Sequence, residues 1–180
     1  MAEEEKKERW LNYLALTTII LAVCATLSTF KGGGYSTQSV LSQSKAANSW
    51  SYFQSKSIKG YIYEIQRDEI ELAMQKAVGG NDSVLAEQYR TQIARYNQKL
   101  KKYEYEKASI IKEAKHFETI RDEAQLHARD LGIAVIFLQV AILLASISAL
   151  MKKKMIWLAS TITGIVGIGY FVNGLFLFVK

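Results

Sequence analysis

The chain contains no proline and a single cysteine. Without proline, its helices can be interrupted only where glycine gathers, at 32–34, at 79–80 and in the last apolar run. Cys24 has no second thiol to pair with and cannot build a zinc site alone. It lies inside an apolar segment and reads as a small packing residue. Histidine is nearly as scarce, with only His116 and His127. Di-iron sites in helical bundles need two Glu-x-x-His pairs and further glutamates. This chain has one such pair, Glu113 and His116, whereas Glu123 precedes His127 by four residues, the wrong spacing. The glycine runs lack the strand–loop–helix setting and the Lys-Ser/Thr of a phosphate loop. No Ser/His/Asp set with plausible shared geometry is present, and the apolar runs contain no acid. The expectation is therefore a non-enzymatic protein with no metal and no cofactor.

The net charge of +6 could point to nucleic acid, but its placement argues otherwise. Residues 31–130 carry sixteen basic and thirteen acidic groups, close to balance. Lys152, Lys153, Lys154 and Lys180 are unopposed, so much of the excess flanks apolar runs. No nucleic-acid-binding motif accompanies the charge, and no nucleic-acid partner is expected.

What the chain has in quantity is long apolar runs. Residues 10–30 carry no charge and, at about 1.5 Å rise per residue, span roughly the hydrocarbon thickness of a bilayer. A cleavable signal peptide has a core of only about 7–15 apolar residues, so an uncleaved span is expected. Trp10, Tyr13 and Phe30 suit its interfaces. Residues 131–151 form a second span, interrupted only by Gln139, Ser146 and Ser148. Residues 155–179 form a third, with Asn173 as its one amide side chain. The lysine triplet 152–154 is the whole link between the last two, which forces an antiparallel pair. Basic residues in short loops favour the cytoplasm. The triplet, and Lys6, Lys7 and Arg9 in the charged segment 1–9, are therefore expected there. This orientation places 31–130 in the periplasm or outside the cell, with the spans among membrane lipids.

Residues 31–130 read as a helical hairpin with its turn near 79–82. Gly32, Gly33 and Gly34 are expected to release the chain from the first span, and Tyr35, Ser36 or Thr37 to start a new helix. Gly79 and Gly80 end it, and Asp82 or Ser83 caps the next. From Ala86 to Leu131 a seven-residue repeat places twelve apolar or aromatic residues on fourteen seam positions. This seam runs into the second span without a break. With the turn near 80, the first hairpin helix should meet it through Ile58, Tyr61, Ile65 and Leu72, and Gln54 should lie near Lys107. The fold class is thus an all-α membrane protein, three spans with a long antiparallel coiled-coil hairpin between the first two.

Lys107 and Arg121 are the two charged seam positions. Either their stems pack while their heads stay wet, or they pair with acids on another helix or subunit. Between Trp50 and Lys59 lies more aromatic surface than one seam buries, and Trp50, Tyr52, Phe53, Gln54, Lys56 and Lys59 read as hairpin packing or an interaction surface. Ser160, Gly164 and Gly167 give the last span a small face for close helix packing, within the protomer or between protomers.

The stretches Lys-Gly-Gly-Gly-Tyr at 31–35 and Trp-Ser-Tyr-Phe-Gln-Ser-Lys-Ser-Ile-Lys at 50–59, followed by a hairpin and two spans, are similar to the bacterial family DUF4337. The resemblance covers essentially the whole chain. It implies three spans with intervening helices, a place in the bacterial inner membrane and no assigned activity. The leading expectation is a homo-oligomeric scaffold or interaction protein, its other protein partners unspecified. The alternative is a homo-oligomeric channel or transport component with Gln139 and Asn173 lining a pore.

Overall fold

The computed structural model describes residues 2–80 and 82–179, with side chains from residue 10 onward. The side chains of Lys6, Lys7 and Arg9, and Asn81 in the turn, lie outside the described residues. Three helices account for nearly all of it: α1 (Ala2–Gly79), α2 (Ser83–Met151) and α3 (Lys154–Phe176). Each contains a stretch long and apolar enough to cross a membrane. No strand occurs among the described residues.

The expected break after the first span is absent. α1 passes through Gly32, Gly33 and Gly34 without interruption, so no helix starts at Tyr35, Ser36 or Thr37. Each glycine costs a helix about 1 kcal/mol relative to alanine. Long helical flanks make propagation through them easier than starting a new helix. Gly32 also has a packing role: a Cβ there would stand 3.3 Å from the Cβ of Leu131. The expected separate span and hairpin helix are therefore one element. On the α2 side the expected continuity from hairpin into span is present.

The chain divides into two compact units, residues 1–41 with 120–180, and residues 42–119. In the first unit the apolar parts of α1, α2 and α3 pack together. Leu21, Ala25, Ala134, Leu138 and Ala141 form the buried centre, and Cys24, Ile142, Ile168 and Phe171 pack against it. Around this centre Ser28, Ser148, Ser160, Gly164, Gly167 and Gly174 are also buried, small residues that let helix backbones approach closely. α2 and α3 are joined at Lys152, which takes a left-handed φ of 54°. Ser148 Oγ donates to the Lys153 carbonyl at 2.9 Å across this link.

The second unit is the antiparallel pair formed by the remainder of α1 and the start of α2. Asp82 caps α2, its Oδ1 accepting from the Leu85 N–H at 3.1 Å. The α2 seam matches expectation, with Ala86, Ile110 and Ala114 buried. The α1 seam does not. Ser42, Ala46, Gly60 and Ala77 are buried, and Phe53, Lys56, Tyr63 and Ile70 are partly buried. Ile58, Tyr61, Ile65 and Leu72, expected against α2, are instead 58–62% exposed. The register was legible to within a turn, but the face of α1 was not. Small residues on the buried face let the helices approach, and the tyrosines of α2 fill what is left.

Candidate functional site

Three groups of side chains stand out, one in the hairpin unit and two in the three-helix unit.

In the hairpin, Lys56 and Glu106 form an ion pair between α1 and α2, Nζ to Oε2 at 2.6 Å. The Lys56 ammonium also lies over the rings of Tyr52 and Tyr103, at 5.1 and 5.4 Å from their centroids. Hydrogen bonding to Glu106, then to Tyr52, holds the Lys56 pKa above the ordinary lysine value. Hydrogen bonding to Lys56, aided by the charges of Lys102 and Lys59, holds Glu106 below the ordinary glutamate value. Tyr63 is stacked 5.7 Å from Tyr103 and lies 5.8 Å from Tyr96, with Lys99 Nζ 4.6 Å above it. Trp50 donates its Nε1–H to Glu118 Oε1 at 2.9 Å and meets Phe53 edge-on at 5.7 Å.

These contacts sort the residues singled out from sequence. Trp50, Phe53 and Lys56 are engaged within the hairpin, Tyr52 is exposed but carries Lys56 over its ring, and Gln54 and Lys59 are exposed. Lys107 pairs with Glu104 of its own helix. Arg121, in the other unit, pairs with the adjacent Asp122 at 2.8 Å and holds that carboxyl below its ordinary pKa. The ion pair bridging the hairpin sits one position from Lys107, at Glu106, and takes its base from α1.

On α3, Ser160, Gly164, Gly167 and Gly174 are buried within the chain. Ser160 Oγ donates to the Ala141 carbonyl at 2.7 Å. A Cβ on Gly164 would stand 2.8 Å from a Leu21 methyl, and one on Gly167 would stand 2.9 Å from Leu138 Cγ. The small face of α3 is therefore occupied by α1 and α2 of the same protomer.

The third group is one that the sequence reading missed. Asp130 is 2% exposed and accepts from Asn173 Nδ2 at 2.5 Å and from Arg129 Nε at 2.9 Å. The Asn173 amide also holds both backbone groups of Val179, donating to its carbonyl at 2.9 Å and accepting from its N–H at 2.8 Å. His127 Nδ1 lies 2.7 Å from the Gly174 carbonyl, and its ring stacks 4.3 Å from that of Tyr35. Asn173, expected to line a pore, is thus tied to Asp130 and to the end of the chain. The available signal was Asp130 itself, an acid directly abutting an apolar run.

A family model described as "Domain of unknown function (DUF4337)" matches residues 10–177, nearly the whole chain. The chain belongs to the DUF4337 family. No curated protein and no solved structure matches it. Within this DUF4337 chain, no cluster of three or more potential metal-binding side chains occurs among the described residues.

Proposed function

We propose that this DUF4337 protein is a non-enzymatic scaffold of the bacterial inner membrane that self-associates through its hairpin. The observation that carries this reading is the exposed apolar stripe on α1. Ile58, Tyr61, Ile62, Ile65 and Leu72 are each 49–62% exposed, and they lie in a region of the chain rich in charge. Leaving such surface in water forgoes about 25 cal/mol per Å² of apolar area, and contiguous patches of this kind mark interaction sites. The α3 small face is not needed for association, since it is filled within the protomer. Lys152–Lys154 and the N-terminal basic residues face the cytoplasm in this reading, and the hairpin lies on the opposite side of the bilayer.

The test is co-purification of two differently tagged copies expressed together and extracted in mild detergent. The reading expects each tag to retrieve the other. Retrieval of only its own copy, in detergent and in native membrane discs, contradicts it.

A further inference from the structure

Both outer faces of the hairpin carry a pattern, and the two patterns differ. On α1, the apolar stripe runs beside an acidic stretch. Residues 64–71 contain Glu64, Asp68, Glu69 and Glu71 against Arg67 alone. On α2, residues 95–102 contain Arg95, Lys99, Lys101 and Lys102 with no acid. Arg95, Lys101 and Lys102 are exposed, as is Tyr105 at 80%.

The two stretches lie at one level of the hairpin. Tyr63 of α1 touches Tyr96 and Tyr103 of α2. Counting outward from that contact in antiparallel register places Glu69 near the level of Arg95. It likewise places Tyr61 and Ile62 near Lys101, and Ile58 near Tyr105.

When two hairpins lie side by side with their turns at the same end, equal levels meet. Three pairings of outer faces are then available. Joining α1 to α1 across a two-fold axis sets the acidic stretch against itself. Joining α2 to α2 sets the basic stretch against itself. Only α1 against α2 of the next copy brings unlike charges together and covers the apolar stripe with the lysine stems and Tyr105. Like charges set against each other across an interface disfavour that pairing and unlike charges favour it, so this difference decides the pairing.

We infer that the outer face of α1, centred on Ile65, docks onto the outer face of α2 of a second copy, centred on Gln98, in a head-to-tail interface. A repeated head-to-tail contact closes into a ring when its rotation permits. The inference rests on the self-association reading above and specifies which surfaces carry it. Lys101 and Lys102 lay their stems along Tyr61 and Ile62 in this contact, and Arg95 meets Glu69.

The test uses the full-length chain in membranes with Cys24→Ser. Ile65→Cys and Gln98→Cys are introduced separately and together. Within one protomer these positions lie on opposite outer faces of two packed helices, too far apart for a disulfide. Oxidation is expected to give a ladder of covalent oligomers from the double variant. The two single variants expressed together should give a mixed dimer, and neither alone should cross-link. A dimer from Ile65→Cys alone overturns the head-to-tail pairing. Wild-type protein that associates while the double variant stays monomeric on oxidation also overturns it, and leaves the scaffold reading standing. A charge test runs alongside. Glu69→Lys and Arg95→Glu should each weaken association at least tenfold with helicity unchanged, and the combined variant should recover it. Association unaffected by either reversal contradicts the inference.

Discussion

A Cβ placed on Gly174 would stand 2.9 Å from the backbone nitrogen of Leu131. Backbone cannot rotate away as a side chain can. Gly174→Ala should therefore force α3 off α2 and destabilise the bundle by about 1–3 kcal/mol, the usual cost of overpacking. At Gly164 the obstacles are the Leu21 methyls, the far end of a flexible side chain, with the Ala141 Cβ at 3.6 Å. Gly164→Ala should cost less. Gly169, with nothing within 4 Å, should tolerate alanine and gain up to about 1 kcal/mol of helix propensity. Thermal unfolding in detergent ranks the three, and equal midpoints for Gly174→Ala and Gly169→Ala would refute this packing.

The Lys56–Glu106 pair makes the hairpin sensitive to pH. Glu106 is depressed by Lys56, so its contribution is complete above the ordinary glutamate range and is lost as pH falls through its lower folded value. Lys56 is raised, so its contribution is complete below the ordinary lysine range and is lost as pH rises through its higher folded value. The hairpin should be most stable between these limits and lose helical stability in acid. Glu106→Gln should flatten part of the acid limb. An acid limb identical in wild type and variant would show that the pair does not contribute. Both side chains are only partly buried, so solvent screens the pair and the change should be small.

Asn173 is the only amide side chain on α3, and it satisfies a nearly buried carboxylate. Asn173→Leu leaves Asp130 without that donor and should cost about 1–3 kcal/mol. It also releases Val179 from its two hydrogen bonds. Adding Asp130→Leu removes the carboxylate that has lost its amide donor and should recover part of the loss. Unfolding midpoints of the two single variants and the double form a cycle, and strict additivity would mean that the two residues act independently.

The α2 helix, the turn and the small face of α3 were legible in the sequence because each rests on local information. A seam from Ala86 to Leu131 repeats every seven residues, Asp82 sits where a cap belongs, and Ser160 and Gly164 have the spacing of close packing. Two features of the fold were hidden, besides the Asp130–Asn173 contact, which joins residues far apart in sequence. Gly32, Gly33 and Gly34 look like a break, and only the approach of Leu131 explains why a glycine suits position 32 inside a helix. Ile58, Tyr61, Ile65 and Leu72 form the more apolar stripe of α1, so hydrophobic patterning assigned them to the seam. The helix turns its smaller face inward instead, through Ala46 and Gly60. Two stripes with the same repeat cannot be ranked by periodicity alone.

Orientation can be checked at the hairpin turn, where Ser83 is exposed. In a Cys24→Ser background, Ser83→Cys should react with a membrane-impermeant thiol reagent in intact spheroplasts. Lys153→Cys should react only after lysis. The reverse pattern inverts the topology.

The central claim is that the chain assembles with itself, and the mass of the purified particle tests it most directly. Light scattering or native mass measurement on the wild-type chain in native membrane discs should give a defined multiple of the 20.3 kDa protomer. Ile65→Glu, which charges the exposed stripe without touching the hairpin seam, should reduce that mass at unchanged helicity. A wild-type particle of one protomer at every concentration, in detergent and in discs alike, would contradict the account.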